Sequence, residues 1–186
     1  DYSNNPTKYL LYQDILMGLF DMHVGQCNKQ HFAECAASLQ QLADRQGKMA
    51  YLFETAALLC RVLELKCDMG IRLKAAYDAN ANESMWHIAE VEIPELMNRL
   101  TAFHAAFKKQ WYTVYKRGGF DVQDIRLGGL MARIQTAREV VLDYLNGEID
   151  RIEELEQERL PFVSEGSKSK NIYYNSWVRM VTANKL

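Results

Sequence analysis

Cys27, His31 and Cys35 follow one another at four-residue steps, with His23 just upstream, and are the side chains here best spaced to hold a metal. One helical face presenting two thiolates and an imidazole would supply three ligands of a tetrahedral zinc site. Two features count against it. The step from Cys27 to Cys35 drifts roughly 80° around a helix, and Cys27 falls where that helix is only beginning. No C-x-x-C or H-x-x-x-H accompanies the set. Packed thiols beside a surface histidine are the reading adopted, with no metal and no other cofactor expected.

Other catalytic constellations are missing from the sequence. A dimetal helical bundle needs Glu-x-x-His pairs on two helices, whereas His87 follows Glu83 by four residues and precedes Glu90 by three. There is no G-x-S-x-G, and Gly118-Gly119 and Gly128-Gly129 match neither glycine-rich phosphate template. The acidic run Glu148, Asp150, Glu153, Glu154, Glu156 and Glu158, interleaved with Arg151 and Arg159, reads as a solvated helix face. Trp86, Trp111 and Trp177 could stack on sugars, but core packing is the default for tryptophan in an aromatic-rich helical chain. Only Trp177, in a tail that must dock somewhere, stands as a candidate.

Composition narrows the partners. With 186 residues, 48% of them hydrophobic, the chain suffices for one domain spanning 1–186 with a real core. A net charge of -2 and a pI of about 6.1 give no cationic field for nucleic acid or an anionic membrane. No apolar run approaches the roughly 20 residues that span a bilayer. The start, DYSNNPTKYL, lacks both a Met and the form of a signal peptide, so the chain reads as part of something longer. The four cysteines lie in or beside apolar helical stripes and are expected to be reduced, which leans toward a cytoplasmic setting.

The elements that must position these residues are helical: an all-α, multi-helix bundle of long antiparallel helices. An irregular lead-in over 1–27 precedes the bundle over 28–160, and a loop and aromatic docking tail over 161–186 follow it. The organising stretch is 48–78, in which Glu54, Arg61, Glu64, Asp68 and Arg72 gather in one narrow arc and apolar residues fill both flanks. A helix apolar on both flanks needs neighbours on both, so it is central. Before it, Phe32, Cys35, Ala36, Leu39, Leu42 and Ala43 mark an amphipathic helix ending near Gly47.

After a turn at Asn80-Ala81-Asn82, Pro94 demands a kink or break, and the stripe Leu96, Leu100, Phe103, Phe107, Trp111 and Val114 carries aromatic bulk inward until Gly118-Gly119. Asp121 is placed as the next N-cap, with Phe120 stapled onto Ile125, and Gly128-Gly129 suggests close approach of a neighbour. Asn146-Gly147 could cap that helix and begin another, but a single long helix running on to about Arg159 is the reading favoured.

Five stretches in a shared order carry a family resemblance: NNPTKYLLYQDILMGLFD at 4–21, LCRVLELKCDMGIRLKAAYDAN at 59–80, EIPELMNRLTAFHAAFKKQW at 92–111, GFDVQDIRLGGLMARIQTA at 119–137 and YLNGEIDRIEELEQERLP at 144–161. Together they resemble the C-terminal helical region of a bacterial subgroup of glycoside hydrolase family 20, the β-N-acetylhexosaminidases. The resemblance implies a parent enzyme whose (β/α)8 barrel precedes Asp1 and releases terminal N-acetylhexosamine. An adjacent Asp-Glu pair in that barrel orients the substrate acetamido group and protonates the leaving oxygen. This chain has no Asp-Glu dipeptide, so no catalytic residue transfers to it and it is not expected to be an enzyme alone.

Its expected partner is the barrel of the same polypeptide, with a homodimer contact as a further role. Tyr9, Tyr12, Gln13, Asp14 and Asp21 would follow the barrel's last strand, near the mouth where such barrels bind substrate. With Trp177 they are the candidates for a substrate-proximal or domain-interface role. Capping by the two aspartates with tyrosine packing is the plainer alternative. The competing class is an independent helical module that binds a partner protein.

Overall fold

The computed structural model describes residues 10–18, 21, 29–45 and 47–159. Every regular element among them is helical, as expected: α1 Lys29–Arg45, α2 Ala50–Lys66, α3 Met69–Asp78, α4 Asn82–His87, α5 Ile93–Val114, α6 Asp121–Leu145 and a short α7 Glu153–Glu156. Tyr9, His23, Cys27 and the tail with Trp177 lie outside the described residues.

The α1–α2 hairpin closes through a 3-10 turn at Gly47–Met49, where Gly47 takes φ of 54°, a left-handed conformation suited to glycine. On its other side α2 packs along α5. The charged arc forms the seams with these neighbours. Arg99 bridges Glu64 at 3.0 Å and donates to the Arg61 carbonyl at 2.7 Å, and Lys109 reaches Glu54 at 3.3 Å. Asp68 takes Lys29 at 3.0 Å and Arg72 at 2.9 Å, while Arg72 forks onto Glu92 at 2.7 and 2.6 Å.

The single central helix expected over 48–78 is two helices. It breaks at Cys67–Asp68, where Asp68 leaves helical geometry with φ -118° and ψ 5°. Beside the break, the backbone of residues 10–18 lies so close to α3 that a Cβ on Gly70 would stand 2.9 Å from the Ile15 carbonyl oxygen. The expectation of four reduced thiols also needs correction. Cys35 and Cys60 are free, with burial and then the neighbouring Cys35 pushing the Cys60 thiol up, but Cys67 is disulfide-bonded. That removes the redox support for a cytoplasmic setting.

Pro94 produces a π turn rather than a break. Residues Ile88–Glu92 form the turn, with the Ile93 N–H on the Ile88 carbonyl, and α5 continues beyond it. In that i→i+5 register the Ala89 carbonyl would look for an N–H at position 94, which proline lacks. Arg138 of α6 supplies the donor instead: its Nε meets Ala89 O at 2.9 Å, and its other arm holds Glu90 at 2.6 Å.

Two expectations about α6 fail at its ends. Phe120, not Asp121, occupies the N-cap, and no staple forms: Phe120 is buried among His104, Phe107, Trp111 and Tyr112, while Ile125 is 53% exposed. The aromatic ladder of α5 outcompetes a local contact. At the far end α6 stops at Leu145 instead of running to Arg159. Gly147 at φ 74° sends its N–H to Tyr144 O (3.1 Å) while Glu148 bonds Asp143 O (2.8 Å), a Schellman cap that satisfies the last carbonyls.

The chain then doubles back, burying Ile152 and Leu155 in the common core, so the acidic run is a return segment and not one helix face. Tyr77 pins it, donating to Glu156 at 2.9 Å and accepting from the Ile152 N–H at 3.1 Å. Gly128 faces open space rather than a neighbouring helix.

Candidate functional site

The described candidate residues converge where residues 10–18 enter the bundle. One helical turn at 10–12 is followed by a tight turn at 14–18. There one Asp14 carboxylate oxygen accepts the Leu16 and Met17 N–H groups, each at 2.9 Å, and the Asp14 carbonyl accepts Gly18 N–H at 3.1 Å. Gly18 has φ of 54°, and a Cβ there would sit 2.7 Å from Asp21 Cγ and 2.8 Å from Arg159 Nε, so only glycine fits.

Three cations drawn from distant parts of the chain hold this turn. Lys66, the last residue of α2, is 3% exposed and gives its Nζ to the carbonyls of Gln13 at 2.7 Å and Leu10 at 3.1 Å. Burial pulls its pKa down to about 7, although the charges of Asp14 and Asp21 oppose the fall. Arg133 of α6 pairs with Asp14 at 2.5 Å and with Glu154 at 2.8 Å, joining the turn to α6 and the return segment. Arg159 donates to the carbonyls of Leu16 and Met17 and lies 3.4 Å from Asp21.

The two aspartates differ as a consequence. Burial alone would raise the Asp14 carboxyl, but the Arg133 hydrogen bond and charge, with the two turn amides, hold it below the ordinary value. Asp14 is a fixed anion whose oxygens are both engaged. At Asp21 burial prevails over Arg159 and Gln13, and the carboxyl is raised. Gln13, 7% exposed, donates its side-chain amide to Asp21 and leaves its Oε1 without a partner among the described residues. Tyr12 is half-buried, its phenol pushed up by burial against the lowering charge of Arg126.

Gln13, Asp14 and Asp21 thus gather around one polar seam, Tyr12 packs against the hydrophobic core near Arg126, and Tyr9 and Trp177 fall outside the described residues. Reading the sequence missed Lys66, Arg133 and Arg159. For Lys66 a signal existed: it follows Val62 and Leu63 by four and three residues and precedes Gly70 by four, so its place on the wheel is apolar. Nothing local marks Arg133, whose partner is 119 residues away.

The seam can anchor and orient, because its charges are matched and its strongest acid is locked. Among the described residues no three His, Cys, Asp or Glu side chains are grouped to hold a metal. Of the suspected zinc set, Cys35 Sγ lies 3.6 Å from His31 Nε2. No described helix is long and apolar enough to cross a membrane. No curated protein sequence matches the chain. The glycoside hydrolase 20C C-terminal domain matches it over residues 1–173, the span that holds the whole anchored seam and every described helix, and the chain belongs to that family.

Proposed function

We propose that this chain is the non-catalytic helical domain of a β-N-acetylhexosaminidase, and that it braces the catalytic barrel of the same polypeptide through the lead-in segment. The observation that carries the reading is the way residues 10–18 are seated. Lys66, Arg133 and Arg159 grip their carbonyls and Asp14 from three parts of the bundle. A segment held so firmly transmits the position of whatever precedes it. Tyr12 and Asp21 then belong to the junction between the two units, with no proton-transfer role.

The test uses the full-length enzyme and a chromogenic N-acetyl-β-glucosaminide. Alanine at Asp14 or Arg133 should lower the temperature at which activity is lost and leave kcat and KM at lower temperature unchanged. A selective fall in kcat with unchanged thermal stability would place these residues in the chemistry and end the reading. The 186-residue chain alone should show no turnover.

Self-association is a further part of the proposal, supported by the exposed Tyr112, Val114, Tyr115, Val122 and Ile125 at the end of the bundle where α5 meets α6. Sedimentation of a Tyr115→Glu, Ile125→Glu double variant should show a smaller species than the parent.

A further inference from the structure

Two adjoining grooves flank α4. One, of about 530 Å3, is lined by Asn82, Glu83, Trp86, His87, Leu145 and Asn146; the other, of about 560 Å3, runs along α3 and shares Glu83 and His87. Both volumes are of small-ligand size. Trp86 was expected in the core, yet it is 54% exposed while its neighbours Met85 and Ile88 are buried, so the inner face of the helix holds the indole outward on a fixed element. The π turn shapes the second groove, since it brings Glu92 to 3.8 Å from His87, a pair that an ordinary helix would splay apart.

The chemistry of the first lining is specific. Asn82, Glu83 and Asn146 make no side-chain hydrogen bond among the described residues, so two carboxamides and a carboxylate stand ready beside a bare aromatic face. The groove sets one aromatic face and one aliphatic side chain, Leu145, among the polar side chains of Asn82, Glu83, His87 and Asn146. A pyranose matches both halves of the lining: its C–H face lies flat on an indole, and its hydroxyl and acetamido groups exchange hydrogen bonds with amides and carboxylates.

We propose that this groove is a saccharide-binding site in which a hexosamine ring stacks on Trp86 and is hydrogen-bonded by Asn82, Glu83 and Asn146. The choice of hexosamine rests on the hexosaminidase reading, whereas the site rests on its lining. It would hold a glycan chain on the helical domain while another part of the polypeptide works on it.

The experiment measures retention of the full-length enzyme and its W86A, W86F and N146A variants on immobilised N,N′,N″-triacetylchitotriose with the barrel's active site blocked by an N-acetylglucosamine-thiazoline, so that the probe is neither cleaved nor held there, and turnover of 4-nitrophenyl N-acetyl-β-glucosaminide is assayed in parallel without the blocker. W86A should weaken retention about tenfold or more and W86F much less, because phenylalanine keeps a stacking face. Turnover of the small aryl substrate and the melting temperature should be unchanged, since the indole is exposed. Retention of W86A and N146A equal to the parent would overturn the proposal, as would equal loss in W86F and W86A. Failure of the hexosaminidase reading has a separate signature, an absence of aryl-glycoside turnover in the parent enzyme with Trp86-dependent retention intact.

Discussion

Lys66→Met removes a buried amine while filling nearly the same volume. In the folded protein loss of water pulls the pKa from 10.5 to about 7, with Asp14 and Asp21 acting in the opposite sense. The unfolded chain keeps its proton to about pH 10.4, so between the two values it binds more protons than the native state. Stability contributed by this group therefore rises as pH climbs from about 7 toward 10, and that gain is absent below 7. Deprotonation costs no hydrogen bond, because a neutral amine still has two N–H groups for the two carbonyls.

At about 1.36 kcal/mol per pH unit the full interval corresponds to about 5 kcal/mol, of which about 2 kcal/mol accrues between about pH 7 and pH 9. Methionine abolishes this titration and leaves the Leu10 and Gln13 carbonyls without their donor, a loss of about 1–3 kcal/mol per group. Urea unfolding followed by circular dichroism at pH values across that interval measures the difference between the two proteins. Other titrating groups are common to both and cancel. The parent should gain about 2 kcal/mol relative to the variant from about pH 7 to pH 9. Parallel curves would refute the claim that burial pulls the Lys66 amine down to about 7.

Gly70→Ala should lower the melting temperature, since the new methyl would meet the Ile15 backbone; a helix interior otherwise gains about 1 kcal/mol from this change, so a rise would show that residues 10–18 are not seated there. Arg138→Met should destabilise by about 1–3 kcal/mol in the native sequence and by less in a Pro94→Ala background, where a backbone N–H returns; a double-mutant cycle by denaturant unfolding reads the coupling. Asp14 has a depressed carboxyl, so its contribution is present above about pH 4 and is lost as pH falls through the folded value. Acid titration of stability should be shallower in Asp14→Asn, and an unchanged acid limb would refute the Arg133 pairing.

Helices were legible in this sequence wherever one face faced one neighbour. Of the stripe from Leu96 to Val114, Leu96, Leu100 and Phe103 are buried as the spacing implies, Phe107 and Trp111 are partly buried and Val114 is exposed, while Asn80, at φ of 51°, turns the chain where Asn-Ala-Asn suggested. Local rules misled where two outcomes had similar local preference. Asn146-Gly147 permits either continuation or a cap, and the choice fell to Ile152 and Leu155, which reach the core only if the chain turns back. Pro94 announced an irregularity, but its form depended on Arg138, far along the chain and able to serve the Ala89 carbonyl.

The candidate seam was half legible for the same reason. Asp14 and Asp21 lie within one short segment, while Glu154 and the bases come from α2, α6 and the return segment. Periodicity reports which face of a helix is apolar; it does not report which distant cation will be brought to a carboxylate.

The seating of residues 10–18 against Gly70 and Lys66 fixes where this unit can be cut. A version beginning at Lys29 would keep the α1–α2 hairpin yet strip the Leu10 and Gln13 carbonyls from Lys66 and leave Arg133 with Glu154 but without Asp14. Tension applied from the N-terminal side would likewise enter the bundle through Lys66 and Gly70, on either side of the α2–α3 break, and through Arg133 on α6.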